Sequence, residues 1–227
     1  MIELVVFDWD GTLMDSRARI VHAMQRACAA CEVAVPAPAA VCDSIGLDLL
    51  AAVLRIAPAL APTRAHAVAE RYRHEYRAAD DIPSPLYPGA AGMLASLAAG
   101  GRQLAIATGK SRAGLERALI ESGLNGSFAA SRTADECAAK PAPDMLLALL
   151  GELGVAPGAA VMVGDTTFDL AMARAARLAA VAVTHGAHDR ARLVAAEPDL
   201  IIDALDELPS KLASFTAPTA STEEKSA

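Results

Sequence analysis

The chain has 227 residues, enough for one sizeable core or for a core with a small appended module. It is 54% apolar and only 21% charged, which excludes a disordered chain, and its net charge of −7 argues against general nucleic-acid binding. Alanine supplies much of the apolar fraction and aromatics are 4%, a balance that favours closely packed helices.

Met1–Phe7 is too short, and lacks the basic start, for a signal sequence; it reads as a buried strand over 2–7 that runs into Asp8. No stretch is apolar enough to span a bilayer, so the expected location is the cytoplasm, with no membrane partner. A helix follows over 16–34, with Cys28 and Cys31 on it. A CxxC within a helical pattern, with no second pair or histidine ligands, reads as reduced, half-buried thiols. Two or three more helical patterns occupy 41–79, divided by Pro58 and Pro62. Three prolines and a glycine between residues 80 and 89 then mark a connection.

Beyond it, short apolar strands alternate with helices: strands at 104–108, 127–130, 160–163, 180–183 and 200–202, and helices at 90–99, 112–122, 144–153, 167–177 and 190–196. That alternation predicts an α/β fold, a Rossmann-like parallel sheet covered on both faces. Residues 1–15 and 84–210 are expected to build this core. Residues 16–83 would form a helical module inserted after the first strand, and 211–227 a polar, unstructured tail.

Open parallel sheets bind ligands at the carboxyl ends of their strands. Asp8-Trp9-Asp10-Gly11-Thr12 follows the first strand, Thr108-Gly109-Lys110-Ser111 the second, and Gly164-Asp165-Thr166-Thr167-Phe168-Asp169 the fourth, while Lys140 precedes the helix at Asp144. Gathering Asp8, Asp10, Asp165 and Asp169 at one edge disfavours their joint ionisation. A hard divalent cation relieves this, and all-oxygen ligands suit Mg²⁺. Lys140 would balance a phosphate, with Thr108 and backbone N–H groups near Trp9 and Gly109 donating to its oxygens. Simpler readings stand beside these: Asp8 and Asp10 as a turn pair, Asp165 as a cap for the helix at Thr167, Asp169 as a solvated carboxylate, and Lys110 as a solvated residue or a helix-start contact.

DxDGTLxDS at Asp8–Ser16, Thr108, Lys140 and GDxxxD at Asp165–Asp169 resemble, in order, the four motifs of the haloacid dehalogenase superfamily. ATGKS at 107–111, KPAPDML at 140–146 and VGDTTFDLAMARAA at 163–176 resemble its phosphoglycolate phosphatase-like branch, whose small helical cap the 16–83 insertion resembles. The resemblance implies a phosphoric monoester hydrolase. Asp8 would be its nucleophile, forming an aspartyl-phosphate, and Asp10 its acid and base. Thr108, Gly109 and Lys140 would bind phosphate. Asp8, Asp10 (through its backbone carbonyl) and Asp165 would hold Mg²⁺, with Asp169 acting directly or through water.

Asp10 argues for phosphate chemistry over dehalogenation, and the absence of lysine from 16–83 argues against a Schiff-base phosphonatase. A sugar-phosphate mutase and a non-catalytic phosphate-binding or regulatory protein on the same scaffold remain alternatives. Eight of the sixteen arginines lie in 16–83, mostly as an expected solvated face. The expected partner is a small phosphorylated metabolite such as phosphoglycolate, acted on by a monomer or homodimer. Arg177 stands where the family often has glycine, so the local turn is expected to differ, and Trp9 and Met14 carry little information.

Overall fold

The computed structural model describes residues 1–215. Six parallel strands, β1 (Leu4–Phe7), β2 (Gln103–Thr108), β3 (Ala130–Thr133), β4 (Ala160–Gly164), β5 (Ala179–Val183) and β6 (Leu200–Ile202), form one sheet in the order β3-β2-β1-β4-β5-β6. β1 is therefore central: Phe7 is in register with Ile106 on one side and Val163 on the other.

Helices α1 (Arg17–Ala30), α2 (Pro38–Cys42), α3 (Leu49–Ile56) and α4 (Pro62–Ala78) follow β1. The helices α5 (Ala90–Ala99), α6 (Arg112–Glu121), α7 (Asp144–Leu153), α8 (Thr167–Ala175), α9 (Arg190–Ala195) and α10 (Leu208–Ser214) cover the sheet. Side chains alternate across a strand, so β1 feeds two cores. Val5 and Phe7 pack with Met93, Leu97 and Leu208 on one face, and Leu4 and Val6 pack with Leu146, Leu149 and Met172 on the other. Burying both faces is what a run such as Leu-Val-Val-Phe requires, each side chain contributing about 1.5–3 kcal/mol. The helices between β1 and α5 carry a third core of their own, built on Met24, Val41, Val53 and Val68, in which Cys28 is a buried free thiol and Cys31 a half-buried one.

Several expectations change. β3 lies at Ala130–Thr133, not 127–130: its Ser131 and Arg132 are half-buried on the sheet's edge, where polar residues are tolerated, while the apolar Phe128 packs beneath it on the core. Of the tail expected over 211–227, residues 211–215 are placed on the core, with Leu212 of α10 buried there and Phe215 packed beside it; the rest of the segment lies outside the described residues. Trp9 is a core residue rather than an uninformative position: it is fully buried, edge-on to Phe128, with its indole N–H donating to Sδ of Met14 at 3.3 Å. Arg19, placed among solvated arginines, is buried, with Nε donating to the carbonyl of Tyr76 at 3.0 Å and Nη2 paired with Asp80 at 2.6 Å. No helix among the described residues is long and apolar enough to cross a membrane.

Candidate active site

The site stands at the carboxyl ends of the three central strands. The backbone N–H of Asp8 continues the ladder to Val163 at 2.9 Å, which fixes Asp8 as the first residue beyond β1. Thr108 closes β2, and Gly164 and Asp165 close β4. Asp8, Thr108, Lys140, Asp165 and Asp169 are all buried, and Asp10 is nearly so.

Asp8 uses its two oxygens differently. Oδ1 accepts from the N–H of Trp9 at 2.7 Å and lies 2.7 Å from Nζ of Lys140. Oδ2 is buried with no hydrogen-bond partner among the described residues. Such an orphaned oxygen is costly unless a ligand meets it. Lys140 also lies 2.7 Å from Oδ1 of Asp169, so one ammonium bridges two carboxylates. Burial alone would strip its proton, but Asp169 and Asp8 outweigh that and hold it above the ordinary lysine range.

Asp165 is wedged between two loops. Its Oδ1 accepts from the Thr12 hydroxyl at 2.8 Å and its Oδ2 from the N–H of Ala187 at 2.7 Å. Gly11 and Gly186 flank it, and a Cβ at either would overlap its carboxylate. Asp165 does not cap α8. That cap is Thr166, in a reciprocal box with Asp169: the Asp169 carboxylate accepts from the N–H and the hydroxyl of Thr166 at 3.1 and 2.7 Å. Asp169 is thus held on one oxygen by its own helix start while the other faces Lys140.

Asp8, Asp165 and Asp169 each offer an oxygen within 4.8 Å of the others'. Burial, then the neighbouring Asp169 carboxylate, push Asp165 up to about 7. Asp8 is also raised, by burial and by Asp169 and Asp165, although Lys140 opposes the shift. Three buried acids with one ammonium between them are short of positive charge. A divalent cation, preferring oxygen donors, fits this set and would engage the free Oδ2 of Asp8. The Asp10 carboxylate lies outside the group: its Oδ1 accepts from the Ser16 hydroxyl at 2.5 Å and pairs with Nζ of Lys110 at 3.0 Å.

A cavity of about 310 Å³ opens from Asp8, Asp10 and Thr108 toward the helices before α5, with Tyr72, Tyr76 and Leu50 among its walls. Gly109 is needed there because the carbonyl of Leu47 approaches it too closely for any Cβ.

Sequence reasoning left Lys110 open and missed Tyr76 and Gly186. Tyr76 sits in an arginine-rich helix that reads as a solvated face, and Gly186 lies in a loop with no motif. The structure brings together Asp8, Thr108, Lys140, Asp165 and Asp169, and sets Asp10 with Lys110 beside them.

Residues 5–183 match the haloacid dehalogenase-like hydrolase family, and the chain belongs to it. It is 37% identical over 212 residues, 92% of each chain, to the protein named "Probable phosphatase IndB" of Dickeya dadantii. It is 36% identical over 196 residues to the phosphoglycolate phosphatase of Rhodospirillum rubrum, covering 82% of this chain and 81% of the relative. The expectation of a phosphoric monoester hydrolase resembling phosphoglycolate phosphatases agrees with these relatives. The fold matches the crystal structure of CbbY from Rhodobacter sphaeroides in complex with phosphate, with TM-score 0.79 at 24% identity, over 92% of this chain and 96% of that one.

Proposed function

We propose that this protein is a Mg²⁺-dependent phosphatase of small phosphomonoesters, phosphoglycolate-like in substrate, acting through an aspartyl-phosphate on Asp8. The observation that carries the reading is the asymmetry of Asp8, a residue lining the cavity: one oxygen is held by Trp9 and Lys140 and the other is buried without a partner among the described residues.

Lys140, held protonated between Asp8 and Asp169, steadies the nucleophile and offers positive charge to an incoming phosphoryl group. The Thr108 hydroxyl and the N–H of Gly109 are the neutral donors for its oxygens. Asp8 attacks phosphorus as the bond to the leaving oxygen breaks, and Asp10 gives that oxygen a proton. In the second half Asp10 takes a proton from water as the water attacks the phosphorylated Asp8. Asp8, Asp165 and the Asp10 carbonyl, with Asp169 behind them, would hold Mg²⁺, which when bound offsets the carboxylate charge and polarises the phosphoryl group. The helices over 16–83 act as a cap that covers the site and shapes its substrate pocket.

The test is turnover of p-nitrophenyl phosphate with Mg²⁺ and with EDTA, alongside Asp8→Asn. Activity should require the metal and fall roughly a thousandfold or more in the variant. An Asp8→Asn protein with full activity refutes the mechanism. Phosphoglycolate against a neutral alkyl phosphate then tests the substrate reading, which falls if the two are handled alike.

A further inference from the structure

Five side chains form a continuous ladder of alternating character from the helices before α5 into the site. Oδ1 of Asp80 pairs with Nη2 of Arg19 at 2.6 Å. The Arg19 guanidinium lies 4.7 Å from the centre of the Tyr76 ring, and Nζ of Lys110 lies 5.0 Å from that same centre. Nζ of Lys110 then pairs with Oδ1 of Asp10 at 3.0 Å. Acid, cation, ring, cation and acid follow in order, and every neighbouring pair attracts. The Lys110 side chain is only 11% exposed, so little water screens these contacts. Its position is fixed from below as well, since its backbone N–H donates to the Thr108 hydroxyl at 3.2 Å.

The effect on Asp10 is specific. Both of its close partners, Ser16 and Lys110, engage the same oxygen, Oδ1. That fixes the plane of the carboxyl group and leaves Oδ2 as the oxygen that can carry a proton. Ser16 precedes α1 and Tyr76 lies near the end of α4, so two of the helices before α5 set the orientation of a group beyond β1.

From this geometry we infer that Lys110 and Tyr76 are positioning residues: they aim Asp10 at the leaving oxygen, and they do so only when Tyr76 of α4 meets Lys110 in the turn after β2. The inference rests on the phosphatase reading. In the step concerned the phosphorus–oxygen bond breaks and the proton on Oδ2 of Asp10 passes to the departing alkoxide. An aryl phosphate such as p-nitrophenyl phosphate releases a stable anion and needs that proton little. An alkyl phosphate needs it fully, and general acid catalysis is commonly worth about 10²–10⁴-fold. Loss of aim therefore appears as a difference between substrates, which a merely loosened fold does not produce.

The experiment measures kcat and KM of the full chain with Mg²⁺ on p-nitrophenyl phosphate and on an alkyl phosphate (glycerol phosphate), for Lys110→Met, Lys110→Arg, Tyr76→Leu and Tyr76→Phe. Lys110→Met and Tyr76→Leu should lose kcat on the alkyl ester at least about tenfold more than on the aryl ester, a fraction of the full acid contribution. Lys110→Arg and Tyr76→Phe, which keep the charge and the ring, should recover much of it. The double variant Lys110→Met/Tyr76→Leu should lose less than the product of the single losses, since both act on one group. Equal losses on the two esters, or a rise in KM alone, overturn the inference while leaving the phosphatase reading intact. No turnover of either ester by the unaltered protein overturns both.

Discussion

The ammonium of Lys140 stands 2.7 Å from Oδ1 of Asp8 in a site where neither side chain meets solvent. Removing one partner of a buried pair leaves the other charge uncompensated, at a cost of about 3–5 kcal/mol. Lys140→Met should therefore unfold at lower urea than the parent protein, and the deficit should shrink when Mg²⁺ replaces EDTA, because a cation among Asp8, Asp165 and Asp169 supplies part of the missing charge. Urea denaturation in the two buffers checks this; an equal deficit in both would count against metal binding by these acids.

Gly186 shares its space with Asp165. A methyl group there would overlap a carboxylate that the N–H of Ala187 holds in place, so it cannot swing away freely. Gly186→Ala should destabilise the protein by about 1–3 kcal/mol, as overpacking does. The Mg²⁺ concentration for half-maximal activity should rise as well. Gly151→Ala is the control, because a Cβ at that position in α7 meets nothing within 4 Å; it should be stabilising by about 0.5–1 kcal/mol.

Arg177 holds a left-handed backbone, φ 61°, just past α8, with its N–H donating to the carbonyl of Arg174. Against the expectation of a different turn, the left-handed conformation that glycine favours is retained here by a residue that strains to adopt it. Arg177→Gly should raise stability by about 0.5–1 kcal/mol, the left-handed penalty less the extra chain entropy of glycine, with kcat unchanged. Thermal unfolding reads the gain directly.

Glu136 is gripped by Arg112 at 2.9 and 2.7 Å and by the N–H of Thr133 at 3.1 Å. Arg112, against a smaller opposing effect of burial, lowers its carboxyl from 4.5 to about 2. A depressed carboxylate contributes stability that is present above the unfolded value and lost as pH falls from 4.5 toward 2. The pair is partly open to solvent, which holds the contribution to about 0.2–1 kcal/mol. Glu136→Gln should lower stability at pH 6 by that amount and narrow the gap at pH 3, as measured by denaturant titration at the two values.

The α/β core was legible because every strand except β3 is a short, mostly apolar run that leads into a polar residue, and buried parallel strands leave that signature. The same ends gave Asp8, Thr108 and Asp165, since a strand's last residue faces the ligand edge whatever its neighbours do. β3 escaped because an edge strand is not held to the apolar rule, and Ser131 and Arg132 look like loop. Lys110 stayed open and Tyr76 went unnoticed for a different reason. Their significance lies in α4 meeting the turn after β2, and no spacing within either segment encodes that approach. Trp9 was passed over because attention to the flanking aspartates hid an ordinary alternation: Asp8 turns to the site and Trp9 to the core. Asp165 shows the limit most clearly, since its motif is readable while the Thr12, Gly186 and Ala187 that confine it come from loops that only the folded sheet brings together.

The central place of β1 bears on how the molecule is made. Its hydrogen-bonding neighbours, β2 and β4, begin at residues 103 and 160, so β1 leaves the ribosome ahead of both and must wait for them. Pairings between such distant segments form late, after most of the chain is available. Asp8 is therefore synthesised well before Lys140, Asp165 and Asp169, the residues that surround it. A ribosome-bound chain stopped before β4 would carry Asp8 without Asp165, Asp169 or its full sheet, and so without the acids that gather around it in the folded molecule.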